Sequence, residues 1–327
     1  MKTIYFHIGL GKTGTTYIQQ LMGNNHDLFL SHGLNYISSG GGSKGSGHQP
    51  FAKSFIEKLP NYMVPPKKSS AIQKQILTDI KTSTAKYHLL SSENFLFANP
   101  TSIRDLFENS GSQYEYKVIF FVRSQDELAE SEYNQLIKVR RTTIGFNEYI
   151  EKFFDGDVYS MAESWSEAIG EKNLICRVYD AQNDILQSFL DCLPINNVDI
   201  TDLAKPNSRA ENKSLGAIAL SHKLMINSLE NAPINTHFEL SRNFHDELQK
   251  IDFPAILISS EQAKQLRQKY SESNLKFSKK YLGVAMEDLG GRRYTDQERD
   301  NLYLKISNLP TIKNICYFQE TESSNNL

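Results

Sequence analysis

Apolar residues in the first half of the chain form short runs, and the sequences between them have helical spacing. The run at 3–8 (TIYFHI) is β-branched and aromatic, and it predicts a buried strand that leads into a glycine turn and a helix over TTYIQQLM. Runs at 87–95, 116–124 and 173–180 predict three more strands. Because the run at 116–124 contains the uninterrupted apolar stretch VIFFV, we expect a central strand of a parallel sheet that is covered on both faces.

Segments with helical spacing lie between and after these strands. Helices are predicted over about 70–85, 126–140 and 185–193, with Asp126 as the N-cap of the second. The alternation predicts an α/β fold, in which helices flank an open and mainly parallel sheet. After about residue 205 the sequence becomes polar and helical, which predicts a mostly helical C-terminal part. We expect a single domain over 1–320 and a polar tail over 321–327.

The overall composition narrows the classes of partner. Of the 327 residues, 39% are hydrophobic, and the formal net charge is -2. This balance gives no reason to expect a nucleic acid or an anionic membrane as a partner, and no stretch approaches the roughly 20 apolar residues of a membrane span. Cys176, Cys192 and Cys316 are too few and too scattered for a disulfide framework or a zinc site, so we expect a soluble protein of the reducing cytosol. The composition predicts no oligomeric state.

The first predicted turn contains the string Gly11-Lys12-Thr13, which also ends the nucleoside-triphosphate loop G-x-x-x-x-G-K-[ST]. In that register the first glycine would stand at position 6, where the chain has Phe6 inside the predicted strand. The triphosphate loop is therefore disfavoured. A glycine turn that leads into a helix still predicts an anion site, because backbone N–H groups and the helix dipole converge on one phosphate.

The overlapping segment KTGTT resembles the 5'-phosphosulfate loop, K-[ST]-G-[ST]-[TS], of sulfotransferases that use 3'-phosphoadenosine 5'-phosphosulfate (PAPS). The resemblance implies that this loop binds the phosphosulfate. It also implies that the lysine neutralises the negative charge that grows on the bridging oxygen as adenosine 3',5'-bisphosphate (PAP) leaves, without a metal ion. The loop residues are Gly11, Lys12, Thr13, Gly14, Thr15 and Thr16.

A second phosphate site is implied by the same resemblance, because PAPS carries a 3'-phosphate that ATP lacks. The family holds it with an arginine at the end of a central strand and a serine eight residues later, and Arg123 and Ser131 have that spacing. Arginine offers a planar, bidentate fork for phosphate, and the serine hydroxyl adds a directed hydrogen bond. Ser124-Gln125 replaces the Asn-Pro that often follows the arginine in the family. Tyr179 corresponds to a strand-end tyrosine that lies near the adenine in related folds.

Two residues are candidates for the general base that an acceptor hydroxyl of high pKa requires. Glu93 ends the second predicted strand, beside the expected tip of the phosphosulfate loop. In the family, cytosolic members place a catalytic histidine at the equivalent strand end, and several glycan-modifying members use a glutamate, which does not always come from this position. His48 lies in the Gly/Ser-rich segment 38–50, which we expect to be a mobile loop able to close over the acceptor. We prefer Glu93 as the base, with His48 as an acceptor contact or the alternative base; His7 and Trp165 are expected in the core.

Softer similarity to bacterial, carbohydrate-type sulfotransferases extends over about residues 3–285 and implies their P-loop NTPase-like sulfotransferase fold. The leading hypothesis is therefore transfer of a sulfuryl group from PAPS to a hydroxyl of a carbohydrate or glycolipid, releasing PAP. An atypical P-loop kinase or NTPase is a second hypothesis, but it requires a Mg²⁺-binding carboxylate at the end of a central strand, where this chain has Arg123. A non-catalytic nucleotide-binding module is the third. The sequence has none of the metal-ligand spacings HxxxH, HExxH or CxxC.

Overall fold

One parallel sheet is formed by five strands: β1 (Lys2–Gly9), β2 (Leu34–Tyr36), β3 (Tyr87–Ser91), β4 (Tyr114–Val122) and β5 (Leu174–Val178). Their order across the sheet is β2-β3-β1-β4-β5. The structure is a computed structural model that describes residues 1–11, 13–40, 47–58, 66, 68–140, 142–180, 184–195, 198, 200–205, 214–228 and 252–308. The chain divides into two compact units. Unit 1 contains 1–124, 157–211 and 271–291, and unit 2 contains 125–156, 212–270 and 292–327.

The helices of the described chain are distributed over both units. In chain order they are α1 (Thr15–Asn24), α2 (His26–Ser31), α3 (Gln49–Lys53), α4 (Ser69–Thr82), α5 (Pro100–Glu108), α6 (Gln125–Arg140), α7 (Phe146–Lys152), α8 (Val158–Ile169), α9 (Ile185–Leu190), α10 (Ala217–Asn227), α11 (Ser260–Lys269), α12 (Ser271–Phe277) and α13 (Asp296–Ser307). Unit 1 contains the sheet with α1–α5, α8, α9 and α12. Unit 2 contains α6, α7, α10, α11 and α13.

Parallel pairing brings the carboxyl ends of neighbouring strands to one edge of the sheet. His7 of β1 lies beside Ser91 of β3, and Gly9 of β1 lies beside Phe121 of β4. The chain runs from β1 to β2 and β3 on one side, and then crosses to β4 and β5 on the other. Open α/β sheets bind their ligands at such a switch point, in the crevice outside the carboxyl ends of the strands.

Apolar side chains cover both faces of the sheet in unit 1. On one face, Tyr5 and Leu89 belong to a buried cluster that includes side chains of α1 and α9. On the other face, Phe6 packs against aromatic rings at centroid distances of 5.5–6.0 Å; they belong to Phe95, Phe107 and Trp165. Each fully buried aromatic or aliphatic side chain of this size stabilises the folded state by about 1.5–3 kcal/mol relative to an exposed one. This two-sided core holds the strand ends in fixed positions.

Buried ion pairs join three helices of unit 2. Asp126, in the first turn of α6, is fully buried, and its carboxylate lies 2.9 Å from a guanidinium nitrogen of Arg267 and 3.1 Å from one of Arg299. Glu130, one turn further along α6, lies 3.0 Å from Arg299. The expected N-cap role of Asp126 is wrong, because α6 begins at Gln125 and the Asp126 carboxylate binds the two guanidinium groups instead.

The predicted α/β class, with a parallel sheet flanked by helices and a mostly helical C-terminal part, is confirmed. The four predicted strands correspond to β1, β3, β4 and β5, and the predicted helix over 126–140 corresponds to α6. β2 and the helices α2, α3, α5 and α7 were not predicted. Among the helices of the described residues, none combines the length and the apolar character that crossing a membrane requires.

Candidate active site

A tight turn between β1 and α1 forms the centre of the candidate site. The carbonyl oxygen of Leu10 accepts hydrogen bonds from the backbone N–H of Thr13 at 3.4 Å and from its hydroxyl at 2.9 Å. Gly14 then takes a left-handed conformation (φ 78°) as the N-cap of α1, which favours glycine. Gly9 is required by a close approach, because a Cβ atom there would lie 2.2 Å from the Thr15 hydroxyl oxygen. The sequence therefore folds into a turn that brings backbone close to the start of a helix.

The N-terminus of α1 is suited to bind an anion. Its first turn contains no acidic residue, and its N-cap glycine has no side chain to accept hydrogen bonds from the first backbone N–H groups. Within the described chain, the buried hydroxyl of Thr15 has no hydrogen-bond partner. The backbone N–H groups at a helix N-terminus and the positive end of the helix dipole favour a phosphate or phosphosulfate oxygen. Thr16, the next residue, is half-buried.

Glu93 lies at the same edge of the sheet, on the β3 side of this turn. It follows the last residue of β3 by two positions and begins the short 3-10 helix Glu93–Leu96. That helix is capped by Ser92, whose hydroxyl accepts a hydrogen bond from the N–H of Asn94 at 3.1 Å. The N–H of Ser92 donates to the carbonyl of His7 at 3.1 Å, so the segment is tied to β1. The Glu93 side chain is half-buried.

Arg123 and Tyr179 follow the two strands on the other side of β1. Arg123 comes directly after β4 and is 5% exposed, while Tyr179 comes directly after β5 and is half-buried. The N–H of Tyr179 donates to the carbonyl of Val122 at 2.6 Å, which holds the two strand ends together. The guanidinium carbon of Arg123 lies 5.4 Å from the centroid of the Tyr179 ring. A cation over an aromatic face is attracted by the ring quadrupole and is held in a defined orientation.

One neighbour of this pair was not found from the sequence. Gly291 has a positive φ of 67°, and a Cβ atom at this position would lie 2.4 Å from the carbonyl oxygen of Tyr179. The segment before Gly291 therefore approaches the end of β5 closely. The paired glycines Gly290 and Gly291 were the signal that could have indicated a close backbone contact.

Two predicted site residues lie outside this group. Lys12 is outside the described residues, although its neighbours Gly11 and Thr13 are described. Ser131 lies on α6 in unit 2 and is half-buried. The remaining predicted residues of the loop, together with Glu93, Arg123 and Tyr179, all belong to unit 1.

His48 differs from the expected mobile residue over the acceptor. Its side chain is 1% exposed, and it directly precedes α3. Nδ1 accepts a hydrogen bond from the N–H of Ser91 at 3.0 Å, and Nε2 lies 2.7 Å from the carbonyl oxygen of Ile37, to which it donates. Burial lowers the pKa of His48 to about 4, so the ring is neutral near pH 7. With both nitrogens bound to backbone groups, the ring is not available to an acceptor in this arrangement.

The predicted core positions of His7 and Trp165 are confirmed. His7 is fully buried in β1, its Nδ1 lies 2.9 Å from the hydroxyl of Ser91, and burial lowers its pKa to about 3. Trp165 of α8 is 1% exposed and packs against Phe6 and Phe95. Neither residue belongs to the candidate site surface.

Comparisons with known proteins give limited similarity. No protein-family model matches the chain, and no curated protein matches it. Among solved structures, the chain is similar to a sulfotransferase from Alicyclobacillus acidocaldarius, with 15% sequence identity and a TM-score of 0.43. The similarity covers 69% of this chain and 93% of that chain.

Proposed function

We propose that the chain is a PAPS-dependent sulfotransferase that transfers a sulfuryl group to an acceptor hydroxyl and releases PAP. The observation that carries this proposal is the arrangement at the carboxyl edge of the sheet in unit 1. Four neighbouring strands end there, in the order β3, β1, β4 and β5. They are followed by a carboxylate (Glu93), an uncapped helix N-terminus (Gly14), an arginine (Arg123) and a tyrosine (Tyr179).

The two phosphates of the nucleotide are assigned to separate parts of this edge. The N–H groups at the start of α1 and the hydroxyl of Thr15 bind the 5'-phosphosulfate, and Lys12 neutralises the charge that develops on the bridging oxygen. Arg123 binds the 3'-phosphate through its guanidinium fork, and Tyr179 contacts the adenine. A contribution from Ser131 to the 3'-phosphate stays a prediction from the sequence.

Sulfuryl transfer needs a base on the acceptor side. In this proposal the Glu93 carboxylate accepts the proton of the attacking hydroxyl as the new oxygen–sulfur bond forms. The bond between sulfur and the bridging oxygen breaks, and its electron pair leaves with PAP. Positioning of the two reactants and stabilisation of charge at the loop supply most of the rate increase. We assign no proton-transfer role to His48, because both of its ring nitrogens bind backbone groups.

A hydroxyl of a carbohydrate or glycolipid is the proposed acceptor. The support is the resemblance of the sequence to bacterial carbohydrate-type members and the Gly/Ser-rich segment 38–50. A cytosolic location also stays a proposal; Cys176 and Cys192 are buried free thiols, as a reducing compartment allows.

The test is transfer of radiolabelled sulfate from PAPS to a panel of mono- and oligosaccharides, glycolipids and simple phenols, with Glu93→Gln as the matched variant. We expect labelled product from at least one sugar or glycolipid, and loss of most of it with Glu93→Gln. Mg²⁺-dependent turnover of ATP with no transfer from PAPS would favour a kinase or NTPase. Tight PAP binding without transfer to any acceptor would favour the nucleotide-binding module.

A further inference from the structure

Ser91, the last residue of β3, is the centre of a buried hydrogen-bond network in unit 1. Its side chain is fully buried, and each of its polar atoms has a partner. The N–H donates to Nδ1 of His48 at 3.0 Å, and the carbonyl accepts from the N–H of His48 at 2.7 Å. The hydroxyl lies 3.2 Å from Nε2 of Gln19 and 2.9 Å from Nδ1 of His7. We call Ser91 with these three residues the Ser91 network.

The network joins the end of β3, which leads to the proposed base Glu93, to the elements that form the proposed phosphosulfate site. Gln19 is a buried residue of α1, the helix whose N-terminus is the proposed phosphosulfate site. His7 belongs to β1, which leads into the same turn. His48 also donates from Nε2 to the carbonyl of Ile37, directly after β2, so it ties the end of β2 to the end of β3. Every member therefore fixes the end of β3 relative to α1 or to a neighbouring strand.

The geometry of the hydrogen bonds fixes the protonation of His48. Because Nδ1 accepts from a backbone N–H, the proton of the neutral ring must be on Nε2, where it is donated to Ile37. A protonated ring would place a second N–H against the N–H of Ser91. Burial of the ring also favours the neutral form. His48 is thus held in one tautomer and serves as a fixed acceptor for the strand end.

Glu93 is only two residues beyond Ser91, so its position depends on this network. A general base must lie about 2.6–3.2 Å from the proton donor, and a displacement of roughly 1 Å can reduce a rate about 100-fold. We propose that His48 is a positioning residue that acts through Ser91 to hold Glu93 at its working distance from the α1 N-terminus, and that Gln19 is a second such residue. This inference rests on the proposed function, because it gives Glu93 the role of base.

Two variants of His48 separate positioning from proton transfer. Asparagine carries an amide oxygen near the place of Nδ1 and can still accept from Ser91, whereas glutamine carries its amide nitrogen near the place of Nε2 and can still donate to Ile37. We expect kcat of His48→Asn within about 5-fold of wild type and kcat of His48→Gln lower by about 100-fold. The KM for PAPS should be unchanged in both. The matched control is His88→Asn, which removes an equally buried histidine of β3 whose side chain faces the opposite side of the sheet from Ser91.

A second measurement decides the inference without turnover. Amide hydrogen exchange followed by NMR should show the Ser91 N–H protected in wild type, in His48→Asn and in His88→Asn, but exchanging at least 10-fold faster in His48→Gln. Equal loss of kcat in both His48 variants with unchanged exchange would show that the ring itself takes part in the reaction, and would overturn the inference. Wild-type rates and exchange in His48→Gln would overturn it as well. If wild type transfers no sulfuryl group, the proposed function fails, and exchange at Ser91 still decides whether His48 holds the strand end.

Discussion

The guanidinium of Arg123 lies over the ring of Tyr179, 5.4 Å from its centroid, at the ends of two adjacent strands of unit 1. A guanidinium group that is already held against an aromatic ring loses little additional conformational entropy when it binds a phosphate. The pair is therefore a preorganised fork for the proposed 3'-phosphate. It follows β4 and β5, whereas the proposed phosphosulfate turn follows β1.

Removal of this fork should weaken PAP binding selectively. Arg123→Ala is expected to cost about 2–3 kcal/mol, or roughly a 30- to 150-fold increase in the Kd for PAP, with little change for ADP. Isothermal titration calorimetry measures both values. Arg104→Ala is the control, because Arg104 lies on α5 and binds Asp105 and the carbonyl of Ala168. Equal losses for PAP and ADP would contradict the assignment of Arg123 to the 3'-phosphate.

Gly14 offers a test of the turn before α1. Gly14→Ala places a side chain on a residue with left-handed backbone angles and brings its Cβ to 3.2 Å from Ile185. We therefore expect a lower free energy of unfolding and a lower affinity for PAP. Gly111→Ala introduces a similar φ penalty (φ 76°) with no atom within 4 Å of the new Cβ. Thermal unfolding should show a loss of about 1–2 kcal/mol in each variant, whereas PAP affinity should fall only for Gly14→Ala. A turn that plays no part in nucleotide binding would give equal PAP affinities.

Glu93 should affect the rate and not the nucleotide affinity. Glu93→Gln keeps the shape of the side chain but removes its basicity, so kcat should fall by about 100- to 10,000-fold while the Kd for PAP stays within about 2-fold. Steady-state kinetics with the best acceptor from the panel, together with calorimetry, measure the two quantities. Glu108→Gln, on the exposed side of α5, is the control. A wild-type kcat for Glu93→Gln would assign the base to another residue.

The buried neutral ring of His48 predicts a pH dependence of stability. The ordinary pKa near 6.5 applies in the unfolded chain, and burial lowers it to about 4 in the folded chain. Below pH 6.5 the His48 ring therefore binds a proton in the unfolded chain but not in the folded chain. The contribution of His48 to the free energy of unfolding falls by about 1.4 kcal/mol per pH unit down to about pH 4. The contribution is fully present above pH 6.5.

Urea denaturation between pH 4 and pH 7.5 checks this slope. His48→Asn should flatten the dependence by one proton relative to wild type, while wild type and variant differ by a constant above pH 6.5. Parallel curves over the whole range would show that His48 is not a buried neutral histidine. His7 is present in wild type and in His48→Asn, so its titration contributes the same pH dependence to both proteins and does not affect their difference.

Much of the fold followed from local patterns, because β1, β3 and β4 are rich in aromatic and aliphatic residues and are each followed by a turn or a segment with helical spacing. β2 has only three residues, too few for a period to be visible, and α2 is a six-residue helix joined closely to α1. The order of the strands gives Glu93 and Arg123 their positions on either side of β1, and this order depends on long-range pairing. The strand-end position of each residue was nevertheless predictable from where its apolar run stops.

The buried position of His48 could not be predicted from the sequence. Its setting among glycines and serines indicates a solvent-exposed loop, and no local pattern reveals that the ring fits between Ile37 and Ser91. Asp126 was misassigned for a similar reason, since its partners Arg267 and Arg299 are more than 140 residues away in the chain. In both cases the polar side chain is buried because it forms hydrogen bonds with residues that are distant in the sequence.

The affinity of the wild-type chain for PAP, compared with its affinity for ADP, decides whether this edge of the sheet binds PAPS. The two nucleotides differ in the 3'-phosphate and in the length of the 5'-phosphate chain, so AMP and 3'-AMP complete the set. We predict that PAP binds at least about 30-fold more tightly than ADP, and that Arg123→Ala removes most of this difference. Equal affinity of the wild-type chain for PAP and ADP would contradict the assignment of this site to PAPS.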